Sequence, residues 1–195
     1  YSYNHKDLLT AITGTDSYSY IYNGDGNRLA MTQNGVQTRY LLDLNQELPD
    51  VLAETNSAGT VTAYYTYGNG LISKIDAATG QEQWYHFDPT GNTLALTDSN
   101  QNITDSYAYT PYGETTVQGS SWNPFKYSGK HGVMDDGNGL NYMRARYYKP
   151  EIARFMSLDA VWGDMGAPQT LNRFAYVQGD PLRKVDPSGL SSGTS

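Results

Sequence analysis

The chain has 195 residues, no cysteine and a formal net charge of −7. Its length allows one domain with a core or a portion of a larger protein. The lack of Cys excludes disulfides and thiolate metal sites. The acidic balance, with scattered Lys and Arg, argues against nucleic-acid binding, and no apolar run approaches the length of a membrane span. The 18 Tyr against 4 Phe favour a sheet with one wet face, because Tyr combines β-propensity with a polar tip.

Pairs of tyrosines separated by one residue recur along residues 1–122. Because side chains alternate between the faces of a strand, each pair places both rings on one face. The pairs are Tyr1/Tyr3, Tyr18/Tyr20/Tyr22, Tyr65/Tyr67 and Tyr107/Tyr109. Turn signals such as Asn23-Gly24 and Asp25-Gly26 separate the strands. The pattern predicts an all-β, antiparallel hairpin meander, with a short helical turn between Leu41 and Leu52 that Pro49 limits.

The repeat is most recognisable in residues 87–113. Phe87-Asp-Pro-Thr-Gly-Asn-Thr-Leu-Ala-Leu-Thr-Asp98 precedes Tyr107-Ala-Tyr-Thr-Pro-Tyr-Gly113. This order of strand, turn and Thr-Leu-Ala resembles the YD repeat. In that family the hairpins wind into a spiralling β-shell around a hollow. A chain this short cannot close a large hollow alone, so its sheet edges are expected to pair with missing sequence or another copy.

Residues 123–190 form a second segment. Asn-Pro-Phe-Lys-Tyr-Ser-Gly-Lys leads into GLNYMRARYYKPEIARFMSLD from Gly139 to Asp159, and LNRFAYVQGDPLRKVDPSGL follows from Leu171 to Leu190. The long, ordered match resembles the RHS-associated core, which implies a plug that closes the shell. Residues 191–195 would then begin a variable C-terminal segment.

The resemblance also implies a reaction. In toxin-bearing relatives, aspartates of the core cut the chain after the DPxGL motif, which here is the bond between Leu190 and Ser191. Two carboxylates that share a site can divide the work, since one keeps its proton while the other activates water. Asp159 and Asp186 match the motif aspartates.

Two further residues are secondary candidates for the site. Asp180, in Gly-Asp-Pro, is a reserve aspartate at a position where relatives usually carry Asn. Arg154 matches the Arg of the family's Gly-Arg-Phe and would orient a carboxylate or the scissile carbonyl. The resemblance thus implies a single-turnover aspartic autoprotease, with a purely structural plug as the other interpretation.

A structural interpretation competes at each of these positions. Asp186-Pro-Ser-Gly is typical of a type I turn, and Asp159 precedes Ala160 where relatives usually have Pro. Lys149 replaces a usual Asp and would add positive charge that disturbs shared-proton chemistry.

The segment 142–148 is predicted to form one strand, with Arg144 and Arg146 on the same side. Their buried charges would need partners, for which Glu151, Asp159 and Asp186 are the nearest carboxylates.

No other constellation supports a cofactor or metal. His5, His86 and His131 lack ligand spacing, and the Asp135–Gly139 segment lacks a full calcium loop with its terminal Glu. We therefore predict neither a cofactor nor a metal site.

The sequence leaves two functions open. The first is a structural shell and plug of a secreted RHS-repeat protein that encapsulates a C-terminal effector, with self-cleavage after Leu190. Its partners would be the remainder of its own shell and that effector. The alternative is a non-cleaving β assembly module, a filament or adhesion unit, that self-associates through sheet edges. Both predict an extracellular or cell-surface location, with the leader absent from a chain that starts without Met.

Overall fold

The computed structural model describes residues 1–190 and 193–194, and apart from Tyr1 the alternating tyrosines of the sequence lie in its strands. Tyr18 and Tyr20 are buried while the intervening Ser19 is exposed, as the two-residue period requires. Tyr65 and Tyr107 are likewise buried. The prediction of an all-β chain with an antiparallel hairpin meander is confirmed.

Twelve strands follow one another in chain order across one sheet. They are β1 (Ser2–Tyr3), β2 (Leu9–Ile12), β3 (Tyr18–Tyr22), β4 (Arg28–Gln33), β5 (Val36–Asp43), β6 (Asp50–Asn56), β7 (Val61–Gly68), β8 (Gly70–Asp76), β9 (Glu82–Phe87), β10 (Thr93–Thr97), β11 (Ile103–Tyr109) and β12 (Thr115–Gln118). The helical turn predicted between Leu41 and Leu52 is wrong, because that segment is divided between β5 and β6, and Pro49 lies in the loop before β6.

Asp and Asn side chains shape the hairpin turns by one repeated pattern. In each, the side-chain oxygen accepts hydrogen bonds from the backbone amides two and four residues later, which replaces bonds that the turn cannot make within the ladder. Asn23, Asn56, Asp88 and Asp98 all do so, at 2.9–3.0 Å. The repeated Asp or Asn of the sequence therefore corresponds to the same hydrogen-bonded turn in four hairpins.

The chain divides into two compact units, Tyr1–Trp84 and Tyr85–Ser195. The first unit buries charge among its tyrosines. The guanidinium of Arg28 lies 5.7 Å from the ring centre of Tyr20 and 5.1 Å from that of Tyr40, as in cation–π contacts. Glu54 is also buried and accepts a hydrogen bond of 3.0 Å from the Tyr65 hydroxyl. Burial raises the pKa of Glu54, an effect that the Tyr65 hydrogen bond and the charges of Lys74 and Arg28 oppose.

The second unit joins the last repeat hairpins to the core. The predicted segment boundary after residue 122 lies inside this unit. The Tyr85 hydroxyl donates to Asn123 Oδ1 (2.9 Å), and the Tyr148 hydroxyl donates to the Tyr112 carbonyl (2.8 Å). These bonds cross from repeat strands to the core, so the two predicted segments are packed together here.

Two small sheets and four 3-10 turns make up the core. The strands are β13 (Met134–Asp135), β14 (Asn141–Met143), β15 (Arg146–Lys149), β16 (Arg154–Phe155), β17 (Lys184–Val185) and β18 (Gly193–Thr194), and the turns are Gly129–His131, Pro150–Ile152, Pro168–Leu171 and Val177–Gly179. β13 to β16 form one antiparallel sheet, and β17 pairs with β18. An aromatic cluster lies beneath, in which the rings of Tyr148 and Tyr176 are 4.4 Å apart.

Candidate functional site: two aspartates on one arginine

The site begins at the hairpin between β14 and β15. Met143 pairs with Arg146, so Arg144 and Ala145 form the turn between the strands. Arg144 has a φ of 52°, which is uncommon for a residue other than Gly. The predicted single strand over residues 142–148 is therefore wrong. The turn consists of Arg and Ala, without the Gly or Asn that would have predicted a turn at this position.

Arg146 is the centre of the site. Its side chain is only 4 % exposed, and its guanidinium lies 3.6 Å from the ring centre of Phe155. Nη2 forms ion pairs of 2.8 Å with Asp159 and 3.4 Å with Asp186. Because both carboxylates contact the same nitrogen, their oxygens are separated by no more than the sum of these distances. One buried cation thus brings together aspartates that are far apart in sequence.

The remaining donors of Arg146 bind backbone. Nε donates to the Gly189 carbonyl, and Nη1 donates to the Arg173 carbonyl at 3.0 Å. Burial lowers the pKa of Arg146, while the charges of Asp159 and Asp186 oppose that shift. The guanidinium is therefore satisfied by carboxylates and carbonyls, which a buried arginine requires.

Asp159 is held in place by Arg173. The backbone amide of Asp159 donates to the Arg173 carbonyl at 3.0 Å. In return, Nε and Nη2 of Arg173 both donate to the Asp159 carbonyl, the former at 2.8 Å. The Arg173 guanidinium also lies 4.4 Å from the ring centre of Trp162. The side chain of Asp159 remains 18 % exposed, more than the 4 % of Asp186.

Asp186 begins the turn that precedes the predicted cleavage bond. Its Oδ1 accepts hydrogen bonds from the Ser188 hydroxyl (2.9 Å) and the Leu190 amide (3.2 Å). Its Oδ2 faces Arg146. The turn is the one that Asp-Pro-Ser-Gly predicts, but its carboxylate also belongs to the charge cluster. The structural and chemical interpretations of Asp186 are therefore compatible.

A cavity of about 270 Å³ opens beside the cluster. Asp159, Asp186 and Arg146 line one part of it, and Leu190 and Trp162 line others. The cavity therefore adjoins the two carboxylates and the residue before the predicted bond. Ser191, on the other side of that bond, lies outside the described residues.

The other sequence candidates lie away from the cluster. Arg154 is exposed on β16, and the cation at the carboxylates is Arg146, the buried arginine of Tyr-Met-Arg-Ala-Arg-Tyr-Tyr. Asp180 follows the 3-10 turn Val177–Gly179, and its carbonyl accepts the Lys184 amide at 3.1 Å. Lys149 forms an ion pair of 2.8 Å with Glu151, whereas the carboxylates at Arg146 are Asp159 and Asp186.

The sequence named Asp159 and Asp186, together with Glu151, as carboxylates for Arg144 and Arg146, but it did not assign Arg146 to the site. It missed Arg173 altogether. The available signal for Arg146 was the need of a buried arginine for carboxylates. No local pattern points to Arg173, because its role depends on a contact across 14 residues.

The structure also bears on metals and membranes. Within residues 1–190 and 193–194, no group of three or more His, Cys, Asp or Glu side chains is placed to hold a metal ion. In the same part of the chain, no helix is long and apolar enough to cross a membrane.

Comparison with known proteins places this architecture in a class of large β-repeat proteins. No family model matches the chain. The chain is 35 % identical over 197 residues to the tRNA nuclease WapA of Bacillus subtilis strain 168, and 26 % identical over 202 residues to toxin subunit YenC2 of Yersinia entomophaga. These alignments cover 97 % and 92 % of this chain but 8 % and 20 % of the relatives.

A solved structure shares the fold. The crystal structure of TcdB2-TccC3-Cdc42 superposes with a TM-score of 0.71 at 21 % identity, over 97 % of this chain and 10 % of that one. The repeated hairpin turns and the motifs of residues 123–190 indicate the same family as the sequence relatives. The chain belongs to the RHS/YD-repeat proteins.

Proposed function

We propose that this segment is part of the wall and plug of an exported shell that encloses a C-terminal effector, and that its core cuts its own chain once after Leu190. The carrying observation is that Arg146 holds Asp159 and Asp186 beside the residues that precede this bond. The Leu190 amide is itself bound by Asp186 at 3.2 Å. Relatives named as a nuclease and as a toxin subunit support a toxin-related role outside the producing cell.

The two carboxyl groups supply a balanced hydrolysis. One carboxylate accepts a proton from water as the water oxygen adds to the Leu190 carbonyl carbon. The carboxyl group formed in this way then donates that proton to the leaving Ser191 nitrogen as the C–N bond breaks. The products are a Leu190 carboxylate and a free Ser191 amine. Each molecule reacts once, because the substrate is its own chain.

The role of Arg146 in this reaction is electrostatic. Two carboxylates that approach one another repel, and the guanidinium between them offsets that repulsion. It also holds the Gly189 carbonyl, one residue before the reacting carbonyl. The same side chain therefore assembles the acid, the base and the substrate segment.

Two substitutions in the full-length protein test this proposal. Asp159→Asn and Asp186→Asn each remove an ionisable group while keeping the shape, so the cleavage rate should fall by roughly 10²–10⁴-fold. The cleaved fraction is followed by denaturing electrophoresis, and circular dichroism checks that the β fold persists. Cleavage after Leu190 in both variants at the wild-type rate would exclude the aspartate mechanism.

Enclosure needs a separate test. β18 pairs with β17, so chain beyond the predicted bond is still held by backbone hydrogen bonds. We expect the cut segment to stay with the shell and resist added protease until the shell is denatured. Rapid digestion of that segment in the native protein would argue against encapsulation.

A non-cleaving assembly module remains the second candidate, and two observations favour it. Asp186 accepts hydrogen bonds within its own turn, much as Asp98 does in a repeat hairpin. In addition, β1 and β12 end the strand order of the large sheet, where further strands could pair. If the full-length protein stays uncut and sediments as regular polymers, this second function replaces the first.

A further inference from the structure

The turn of the β14–β15 hairpin grips three consecutive carbonyl groups just before Leu190. The donors and acceptors run in the same order: Arg144 Nη1 to the Pro187 carbonyl (2.7 Å), the Ala145 amide to the Ser188 carbonyl (3.1 Å), and Arg146 Nε to the Gly189 carbonyl. Every contact is to backbone. These hydrogen bonds therefore fix the register of residues 187–189 against the hairpin, and they do not depend on the side chains of those residues.

The gripped segment lies directly on the hairpin backbone. A Cβ added at Gly189 would lie 2.4 Å from the Met143 carbonyl oxygen and 3.0 Å from the Arg146 nitrogen. Gly189 also has a φ of 71°, which favours glycine. No other residue fits this position without displacing the segment, so the contact has one register.

The Leu190 side chain is held much less firmly than its backbone. It is 37 % exposed, whereas its amide is bound by Asp186 and by the Ser188 hydroxyl. Leu190 lines the open cavity beside the cluster, and the hydrogen bonds that hold it are made by its backbone amide. The identity of the leucine contributes little to these contacts.

We propose that the Arg144–Arg146 turn selects the cleavage bond by register: the bond that is cut follows the first residue after the third gripped carbonyl, whatever its side chain. Arg144 is a positioning residue, because it binds the Pro187 carbonyl and aims Leu190 at the aspartates through the intervening chain. This inference rests on the proposed self-cleavage. It adds the rule by which one bond is chosen among the several that neighbour this turn.

Exchanging the two residues at the bond tests the rule. In the full-length protein, Leu190→Ser combined with Ser191→Leu moves the leucine one position along the chain. Register selection predicts that the cut stays after position 190, as measured by the fragment masses. A cut after position 191, or no cut in this variant while the wild type is cut, would overturn the inference and leave the aspartate mechanism standing.

Substitutions of Arg144 test the grip itself. Arg144→Met keeps the length of the side chain but removes its donors, and should slow cleavage by roughly 10-fold or more, since small misplacements of a reacting group are costly. It should also produce cuts at neighbouring bonds, which a merely structural role would not. Arg144→Lys should restore the single product in part, because the ammonium group can reach the same carbonyl.

The matched control is Arg183→Met, which removes an exposed arginine from the same unit. It should be cut as the wild type is. A single product formed at the wild-type rate in Arg144→Met would contradict the proposal. An uncut wild-type protein would instead refute the self-cleavage on which the proposal depends, so the two failures are distinguishable.

Discussion

Two aspartate turns, one in the repeats and one in the core, show how a local motif becomes a site. Asp98 and Asp186 each accept a hydrogen bond from the amide four residues later, at 2.9 and 3.2 Å. Asp98 is half-buried in its hairpin loop, and the hydrogen bond from the Asn102 amide lowers its pKa. Asp186 is buried and shares Arg146 with Asp159. The turn is common to both regions, while the charge cluster is particular to the core.

The repeats also bury a carboxylate, yet its surroundings differ. Glu54 contacts the Tyr65 hydroxyl in a sheet that forms by pairing between neighbours in the chain. Asp186 contacts an arginine 40 residues earlier. A buried charge in the repeats therefore depends on local hairpins. The cluster in the core forms only when distant segments have already folded together.

Loss of Arg146 should have the largest effect on the core. Arg146→Gln leaves the two aspartates without their shared cation, and breaking a buried ion pair in this way costs about 3–5 kcal/mol. The free energy of unfolding of the second unit, measured by urea denaturation, should fall by that amount. Arg183→Gln is the control and should be near neutral. Equal losses in both variants would show that the cluster does not stabilise the core.

Gly189→Ala should have the next largest effect. The added methyl group meets the Met143 carbonyl at a left-handed φ, so the cost should be about 2–3 kcal/mol. Gly137 offers a matched control, because its φ is 73° and nothing lies within 4 Å of an added Cβ. Gly137→Ala should cost only about 1 kcal/mol. Similar melting temperatures for the two variants would refute the close approach of the turn to the hairpin.

The buried Glu54 should make the first unit sensitive to pH. Its folded pKa is raised above the ordinary 4.5, so the folded state binds the proton more tightly than the unfolded state. This contribution is fully present below pH 4.5 and is lost as the pH rises through the folded pKa. Wild-type stability relative to Glu54→Gln should therefore decline on going from pH 4.5 to neutral pH.

Tryptophan fluorescence reports this unit selectively. Trp84 is in the first unit, and the combined changes Trp122→Phe and Trp162→Phe remove the other two tryptophans. Urea unfolding of that background, with and without Glu54→Gln, gives the difference in unfolding free energy at each pH. A difference that does not vary with pH would show that Glu54 ionises alike in both states.

The repeat turns should show the smallest effect. Asn56 accepts the Ala58 and Thr60 amides, and Asn56→Ala removes both bonds at the surface of a single hairpin. The expected cost is about 1 kcal/mol, since water replaces part of what is lost. Asn56→Asp preserves the acceptor and should be near neutral. A loss as large as that of Arg146→Gln would remove the distinction between local turns and the assembled core.

The sequence predicted what is local. Alternating tyrosines and Asp/Asn turns led to the meander, and the order of core motifs led to the family. The turn at Arg144 and Ala145, which divides the predicted strand in two, was not predicted. Arg144 adopts a left-handed backbone conformation there, and its residue type gives no indication of this. Arg173 was invisible for a related reason, since its contacts with Asp159 exist only after two loops meet. Arg154 was favoured on motif position, whereas burial places Arg146 at the aspartates.

Self-cleavage is tested most directly by the intact mass of the full-length parent protein under denaturing conditions. If the core cuts its own chain, the wild type gives two products, one ending at Leu190 and one beginning at Ser191, and the Asp186→Asn variant gives a single uncut product. A wild-type protein that remains one chain would contradict it, and the cluster of Arg146 with Asp159 and Asp186 would then serve only to hold the core.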